Sequence, residues 1–300
     1  MWIGKNWKDY KIISTGSGEK LEKWGKYILI RPDPQIIWQK ESRHILWNKA
    51  NAHYHRDSKG GGEWEFFSLP QQWSINYDLN DSDVHKRLTF NLKPFSFKHT
   101  GLFPEQASNW DFSFKHIKKR INSGAEVKLL NLFAYTGGAT LAAAAAGAKV
   151  THVDASKGMV AWAKENAVSS GLNDAGIRWL VDDCIKFTQR EIRRKNRYDA
   201  IIMDPPSYGR GPNGEIWKIE SSIYSLIKAS LSLLSDTPLF FIINSYTTGL
   251  QAGVLNYMLL TAAKALNLEK NGKAEADELG LFVEEDGFIM PCGACARMLW

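Results

Sequence analysis

The chain has 300 residues, 44% of them apolar and 12% aromatic, with 38 Lys/Arg against 32 Asp/Glu for a net charge of +6. That composition supplies a full hydrophobic core and excludes a disordered or low-complexity polymer. No apolar run reaches the roughly 18–20 residues that span a bilayer. The N-terminal MWIGKNWKDY has no signal-peptide core, and 3 cysteines are too few for a disulfide framework, so the expectation is a cytoplasmic chain with no membrane partner.

The charge is uneven along the chain. Residues 1–120 carry 20 Lys/Arg and 13 Asp/Glu, whereas residues 121–300 carry 18 and 19. Either the first part has a solvated basic face, or it docks a polyanion. From Asp9 to Asn91 short β-type runs alternate with turn residues. Tyr27–Ile30 stops at Arg31-Pro32-Asp33-Pro34, and Ile36-Ile37-Trp38 follows. Gly60-Gly61-Gly62 reads as a loop, and Trp64–Phe67, Trp73–Tyr77 and Arg87–Leu92 read as strands. Seven of the 12 tryptophans precede residue 80. Most belong to a core, although Trp47, near His44 and Lys49, has neighbours suited to stacking on a base. The expectation is a small β-rich domain over 1–95 and a second domain over 96–300. Residues 97–110 form an aromatic connector. It leads into a helix over 110–121, with Ser108 or Asn109 as cap.

The second domain opens with an apolar run through Leu132 and Phe133, breaks at Thr136-Gly137-Gly138, and continues into an alanine-rich helix. Strand, glycine turn, helix is the first unit of an open parallel sheet that binds a nucleotide-like ligand. A second strand, Lys149–Val153, ends on Asp154, followed by a helix from Lys157 to Ser169 that Ser156 caps. A third, Ile177–Val181, ends on Asp182-Asp183. A fourth, Tyr198–Met203, ends on Asp204-Pro205-Pro206-Ser207-Tyr208. A helix over 217–234, a strand at Leu239–Ile243 and a helix over 249–266 complete five strand–helix units. Asp286-Gly287 then turns a terminal antiparallel pair. The fold class expected is α/β, a Rossmann-like, mostly parallel sheet with an antiparallel C-terminal hairpin.

These strand ends bring Gly137, Asp154, Asp183 and Asp204 to one sheet edge. Such an edge suits a methyl-donor nucleoside: amino-acid part at the glycine turn, ribose diol on Asp154, adenine amino group on Asp183. G-x-G-x-x-G is absent, which disfavours a nicotinamide cofactor. The proline pair stiffens the backbone after Asp204, so that a carboxylate and a fixed carbonyl hold an exocyclic amine while Tyr208 stacks on the ring of a flipped base. His99 and His152 read as structural.

NLFAYTGG, VDAS, VDDCIKF and DPPSYG, in that order and spacing, resemble a class I S-adenosylmethionine-dependent methyltransferase. HTGLFPEQASNW is similar to the segment that precedes the catalytic domain in the RlmI-like group of bacterial 23S rRNA large-subunit methyltransferases. The resemblance covers roughly residues 95–300 and implies S-adenosyl-L-methionine as cofactor and RNA, 23S rRNA in particular, as partner. It implies that Phe103, Gln106, Asn131, Phe133, Tyr135, Thr136 and Gly137 line the cofactor pocket. Asp154 with Ala155 and Ser156, and Asp183 with Asp182 and Cys184, continue that pocket. Asp204, Pro205, Pro206 and Tyr208 form the transfer site. No separate RNA-binding module of PUA type is visible.

One departure matters. Cytosine-C5 enzymes of that group carry a cysteine nucleophile after the fifth strand, where this chain reads Asn244-Ser245-Tyr246-Thr247-Thr248. Without a thiolate, transfer to a nitrogen is expected. Cys184 reads as packing. Cys292 and Cys295 lack the further ligands of a zinc site, so no metal is expected. A methyltransferase for a protein side chain or small molecule, and a non-catalytic RNA-binding protein on the same fold, are the alternatives.

Overall fold

The computed structural model describes all residues except 41–43, 58–60, 82–83, 96–97 and 211–215, so Gly60 and Phe97 lie outside the described residues. Strands β1 (Trp2–Ile3), β2 (Tyr10–Gly16), β3 (Glu19–Trp24), β4 (Tyr27–Pro32), β5 (Ala52–Arg56), β6 (Gly62–Phe66), β7 (Trp73–Asp81) and β8 (Val84–Leu92) come first. Helix α1 (Ala107–Asn122) leads into β9 (Lys128–Leu132), α2 (Gly138–Ala145), β10 (Lys149–Asp154), α3 (Lys157–Ser169), β11 (Ile177–Val181) and α4 (Cys184–Arg193). There follow β12 (Ala200–Met203), β13 (Tyr208–Arg210), β14 (Ile216–Lys218), α5 (Ile219–Leu231), β15 (Phe240–Ser245), α6 (Ala252–Ala265), β16 (Lys273–Phe282) and β17 (Ile289–Leu299).

The large sheet has the order β1-β16-β17-β15-β12-β9-β10-β11. Strands β9 to β12 and β15 run parallel, and β17 lies antiparallel to β15. Both faces are covered, which is why β15 is buried along its whole length and reads as an unbroken apolar run. Leu130, Leu132, Ile201, Met203, Phe241 and Ile243 share one core with α4, α5 and α6. The alternate residues Leu129, Asn131, Val150, His152 and Ile202 are buried on the other face. The chain winds from β9 to β11 in one direction and from β12 to β15 in the other. The reversal between β9 and β12 is the crevice where such sheets take their ligands.

The smaller sheet has the order β2-β3-β4-β5-β6, and β7 and β8 form a separate hairpin. At its heart Glu22, wholly buried, is forked by Arg31 (2.6 and 2.8 Å) and accepts from the Tyr10 hydroxyl at 2.7 Å. Burial pushes the Glu22 carboxyl up, but Arg31 and Lys20 outweigh it and hold it at about 2.

The chain divides into two compact units that are not contiguous in sequence. One holds 3–108 with Gly280–Cys292, the other Asn109–Leu279 with 1–2 and 293–300. The first unit thus extends beyond position 95 and includes the tip of the C-terminal hairpin. There Glu284 and Glu285 donate their backbone N–H groups to the Ile12 and Ile13 carbonyls.

Several local expectations change. Ile36-Ile37-Trp38 is not a strand, since Trp38 turns back so that its indole donates to Thr15 Oγ1. Trp47 is a core residue, 5% exposed, with its indole donating to Ser14 Oγ, so it offers no stacking face. Helix α1 starts earlier than expected, after a 3-10 turn at Pro104–Gln106. Ser108 and Asn109 therefore both lie inside it rather than capping it. Trp217 belongs to β14 and not to the helix that follows.

Candidate active site

The crevice is built on a strained turn. Phe133, Tyr135 and Gly137 have φ of 55°, 51° and 91°. Left-handed geometry at two non-glycine residues costs on the order of 1–3 kcal/mol each and persists only where neighbours enforce it. The neighbours are identifiable. Phe133 N donates to Cys184 Sγ at 3.2 Å, Ala134 N to the Val153 carbonyl, and Tyr135 N to Asp154 Oδ2 at 2.9 Å. Thr136 is buried, and its carbonyl accepts from Asn166 Nδ2 at 2.9 Å. The second glycine has a packing reason: a Cβ on Gly138 would meet the Trp110 ring at 2.6 Å.

Asp154 fastens turn to strand. Its second oxygen accepts from Ser156 N at 2.8 Å, while Ala155 and Ser156 are exposed. Burial raises the Asp154 carboxyl, and the two backbone donors pull it back. Asp154 pairs with Val181 in register, so Asp182 and Asp183 leave the sheet beside it. Asp183 caps α4, its Oδ1 accepting from Lys186 N at 2.8 Å, and Asp182 pairs with Arg190. Cys184 is buried, and burial drives its thiol far up, so it is a protonated prop beneath Phe133.

Asn131 is buried in β9 and faces α2. Its amide donates to Thr140 Oγ1 at 2.9 Å, and Thr140 stands 2.9 Å from His152 Nδ1. The His152 ring lies 4.8 Å from that of Trp179. Burial pushes His152 down to about 3, in line with a structural histidine. These residues anchor the helix after the turn.

On the other side of the crevice, Asp204 N donates to the Leu132 carbonyl, which joins the ends of β12 and β9. Pro205 is buried, Pro206 exposed, and Tyr208 is 50% exposed on β13. The Trp217 indole donates to the Pro206 carbonyl at 2.5 Å, and its ring lies 5.6 Å from Phe133. Pro206 O is thus engaged by the Trp217 indole. The sequence did not mark Trp217 as a site residue, because the apolar spacing of 217–234 runs on into α5 without a break.

Behind β15 the place of the absent nucleophile is filled by polar packing. Asn109 Nδ2 donates to Asn244 Oδ1 at 2.9 Å, and Arg297 Nε donates to Asn109 Oδ1 at 2.8 Å. Cys295 stands opposite Asn244 in the β15–β17 register and is fully buried. Burial pushes its thiol to about 11, so it is no thiolate at neutral pH. Cys292 and Cys295, three apart on one strand, point to opposite faces and cannot grip one metal ion.

Phe133, Tyr135, Thr136, Gly137, Asp154, Asp183 and Asp204 are thus assembled on one edge, and the donor set fits a nucleoside bearing an amino-acid tail. Phe103 and Gln106 belong to the other unit. There Gln106 is buried in the 3-10 turn, and the Phe103 ring lies 5.5 Å from that of His99.

Comparison with known proteins identifies the family. A ribosomal RNA large subunit methyltransferase K/L from Shewanella frigidimarina is 32% identical over 149 residues, 49% of this chain and 20% of that protein. A namesake from Colwellia psychrerythraea is 26% identical over 230 residues, 76% of this chain and 30% of that protein. The chain therefore spans about a fifth to a third of the length of these relatives. The crystal structure of a SAM-dependent methyltransferase from Agrobacterium tumefaciens has a TM-score of 0.88 at 31% identity, covering 99% of this chain and 92% of that one. A Streptococcus mutans structure, with a TM-score of 0.70 at 17% identity over 99% of this chain and 76% of its own, shares the fold. The family model for S-adenosylmethionine-dependent methyltransferases matches residues 72–227, and the chain belongs to that family.

Proposed function

We propose that this methyltransferase modifies a base nitrogen of large-subunit ribosomal RNA. The observation that carries the reading is the Asp204-Pro205-Pro206-Ser207-Tyr208 strand end beside a sheet edge without a thiolate. S-adenosylmethionine, when bound, supplies a methyl group on a cationic sulfur. The chain's own residues do the positioning: Asp154 and Asp183 hold the nucleoside end, and the strained turn at 133–137 holds the amino-acid end. Asp204 and the Pro205 carbonyl accept from an exocyclic amine and so aim its lone pair, while the exposed Tyr208 ring stacks on the base. Attack by nitrogen needs orientation and no covalent adduct, consistent with Cys295 being packed and protonated.

The relatives named for rRNA methylation support RNA as substrate, as does the basic excess of residues 1–120. No helix among the described residues is long and apolar enough to cross a membrane. A ribosomal substrate puts the protein in the cytoplasm.

The test is tritium transfer from labelled S-adenosylmethionine into ribosomal RNA taken from cells lacking the protein, followed by nucleoside digestion. Label on a base nitrogen is expected, lost in Asp204→Asn and kept within about twofold in Cys295→Ala. Label on a carbon, or loss of activity in Cys295→Ala, sinks the nitrogen assignment. Label only in a protein or small-molecule fraction sinks the RNA assignment.

A further inference from the structure

Within the N-terminal unit a hollow of about 230 Å³ is lined by Pro32, Pro34, Tyr54, Arg56, Gly61, Lys98 and His99. One of its donors is unsatisfied within the described fold. The Tyr54 side chain is 3% exposed, and its hydroxyl has no hydrogen-bond partner among the described residues. A buried, unsatisfied hydroxyl is destabilising, and a ligand acceptor would relieve that. Gly62 explains how the ring gets there: a Cβ at that position would meet Tyr54 ring atoms at 2.8 and 2.9 Å.

Two cations border the same hollow without a carboxylate partner among the described residues. The Lys98 ammonium donates to a neutral group, the Pro32 carbonyl, at 2.9 Å. The carboxylates nearby are taken: Glu22 by Arg31, and Asp33 by Lys20 at 3.2 Å. Arg31 holds the Lys98 carbonyl at 2.9 Å, which pins that residue at the rim. Arg56 is exposed at the mouth and makes no ion pair among the described residues. Asp57, the remaining acid close by, accepts from Gly61 N at 2.9 Å. Burial lowers Lys98 to about 8, with Lys20 and Arg31 adding to the fall and Asp33 opposing it; an anion in the hollow would reverse that shift. His99 is held neutral, at about 4, by burial and the neighbouring cations, so it offers a neutral ring.

We propose that this hollow seats a phosphodiester group of the RNA substrate, bound by Lys98, Arg56 and the Tyr54 hydroxyl. This rests on the RNA reading above. Position along the chain supports it, since Lys98 and His99 run directly into the Phe103–Gln106 segment, and the His99 ring touches that of Phe103. Phosphate contacts of this kind set register and carry no sequence information.

The experiment uses the full-length protein and two probes, inorganic phosphate and pentauridylate, titrated by calorimetry at several salt concentrations. Lys98→Met and Arg56→Gln are each expected to weaken pentauridylate binding about tenfold and to flatten its salt dependence by about 0.7 per cation removed. Tyr54→Phe is the discriminating variant. It keeps the ring, so melting temperature and S-adenosylmethionine affinity stay as in wild type or rise, yet pentauridylate binding falls about fivefold. Competition by inorganic phosphate is expected in wild type alone.

Unchanged pentauridylate affinity in all three variants overturns the site, as does wild-type protein that binds neither probe. Methyl transfer to ribosomal RNA is scored separately. If wild type methylates no RNA but the three variants still lose phosphate-competed binding, the RNA reading fails and the anion site stands. If wild type methylates RNA and the variants bind like wild type, the reverse holds.

Discussion

The two units handle carboxylates in opposite ways. In the methyltransferase unit, Asp154 and Asp183 sit at strand ends and accept from backbone N–H groups close by, at 2.8–2.9 Å. Both oxygens of Asp154 are taken by main-chain donors, and Asp183 caps α4. In the N-terminal unit, Glu22 lies wholly inside, and Arg31 and Tyr10 occupy both of its oxygens. The first arrangement ties an acid to neutral main-chain N–H groups, and the second ties one to a buried cation and a hydroxyl. Place relative to a strand end, more than burial, separates them.

Breaking the second kind should do the larger damage to stability. Glu22→Gln leaves Arg31 as an unpaired buried charge, and loss of about 3–5 kcal/mol is expected in chemical denaturation. A loss under 1 kcal/mol would mean that Arg31 finds another partner and that the pair is not the core's anchor. Asp154→Asn tests the first kind. S-adenosylmethionine affinity by calorimetry should fall on the order of a hundredfold, about 2.7 kcal/mol, with a much smaller stability change. Equal loss in both readouts would erase the distinction between the units.

Gly138→Ala sharpens the comparison inside the catalytic unit. The added methyl meets Trp110 at 2.6 Å, so about 1–3 kcal/mol of overpacking is expected in thermal melts. A separate test is titration. His152 is lowered to about 3 from 6.5, so the unfolded chain binds the extra proton first. Stability should therefore decline as pH falls from 6.5 towards 3. His152→Asn should flatten that slope, and an unchanged slope would assign the acid sensitivity to other groups.

What the sequence disclosed follows from the range of each interaction. The glycine turn, the strand ends at Asp154 and Asp183, and the Ser156 cap are set by residues only a few places apart, so an apolar run followed by a turn residue was enough to locate them. Trp47 was ambiguous because its neighbours His44 and Lys49 suggest a surface, whereas its indole partner Ser14 lies 33 residues away. Trp217 was misplaced for a related reason: its partner, the Pro206 carbonyl, lies across the β13–β14 pair, 11 residues back. The Tyr54, Arg56 and Lys98 hollow left no signature at all, since its members come from segments with no common spacing.

The hairpin tip at Gly280–Cys292 gives the protein an order of assembly. Strand β2 lies at one end of its sheet, and its outer edge is met by Val283 through a parallel bridge to Ile12. On the ribosome, β2 emerges about 270 residues before the segment that covers it. At about 5–20 residues per second the interval is on the order of tens of seconds. Throughout it the nascent chain presents an unpaired strand edge, the kind of surface that pairs with other chains. The unit that holds β2 is therefore completed only once the hairpin tip has been synthesised, and a stop codon anywhere before Val283 would leave it open.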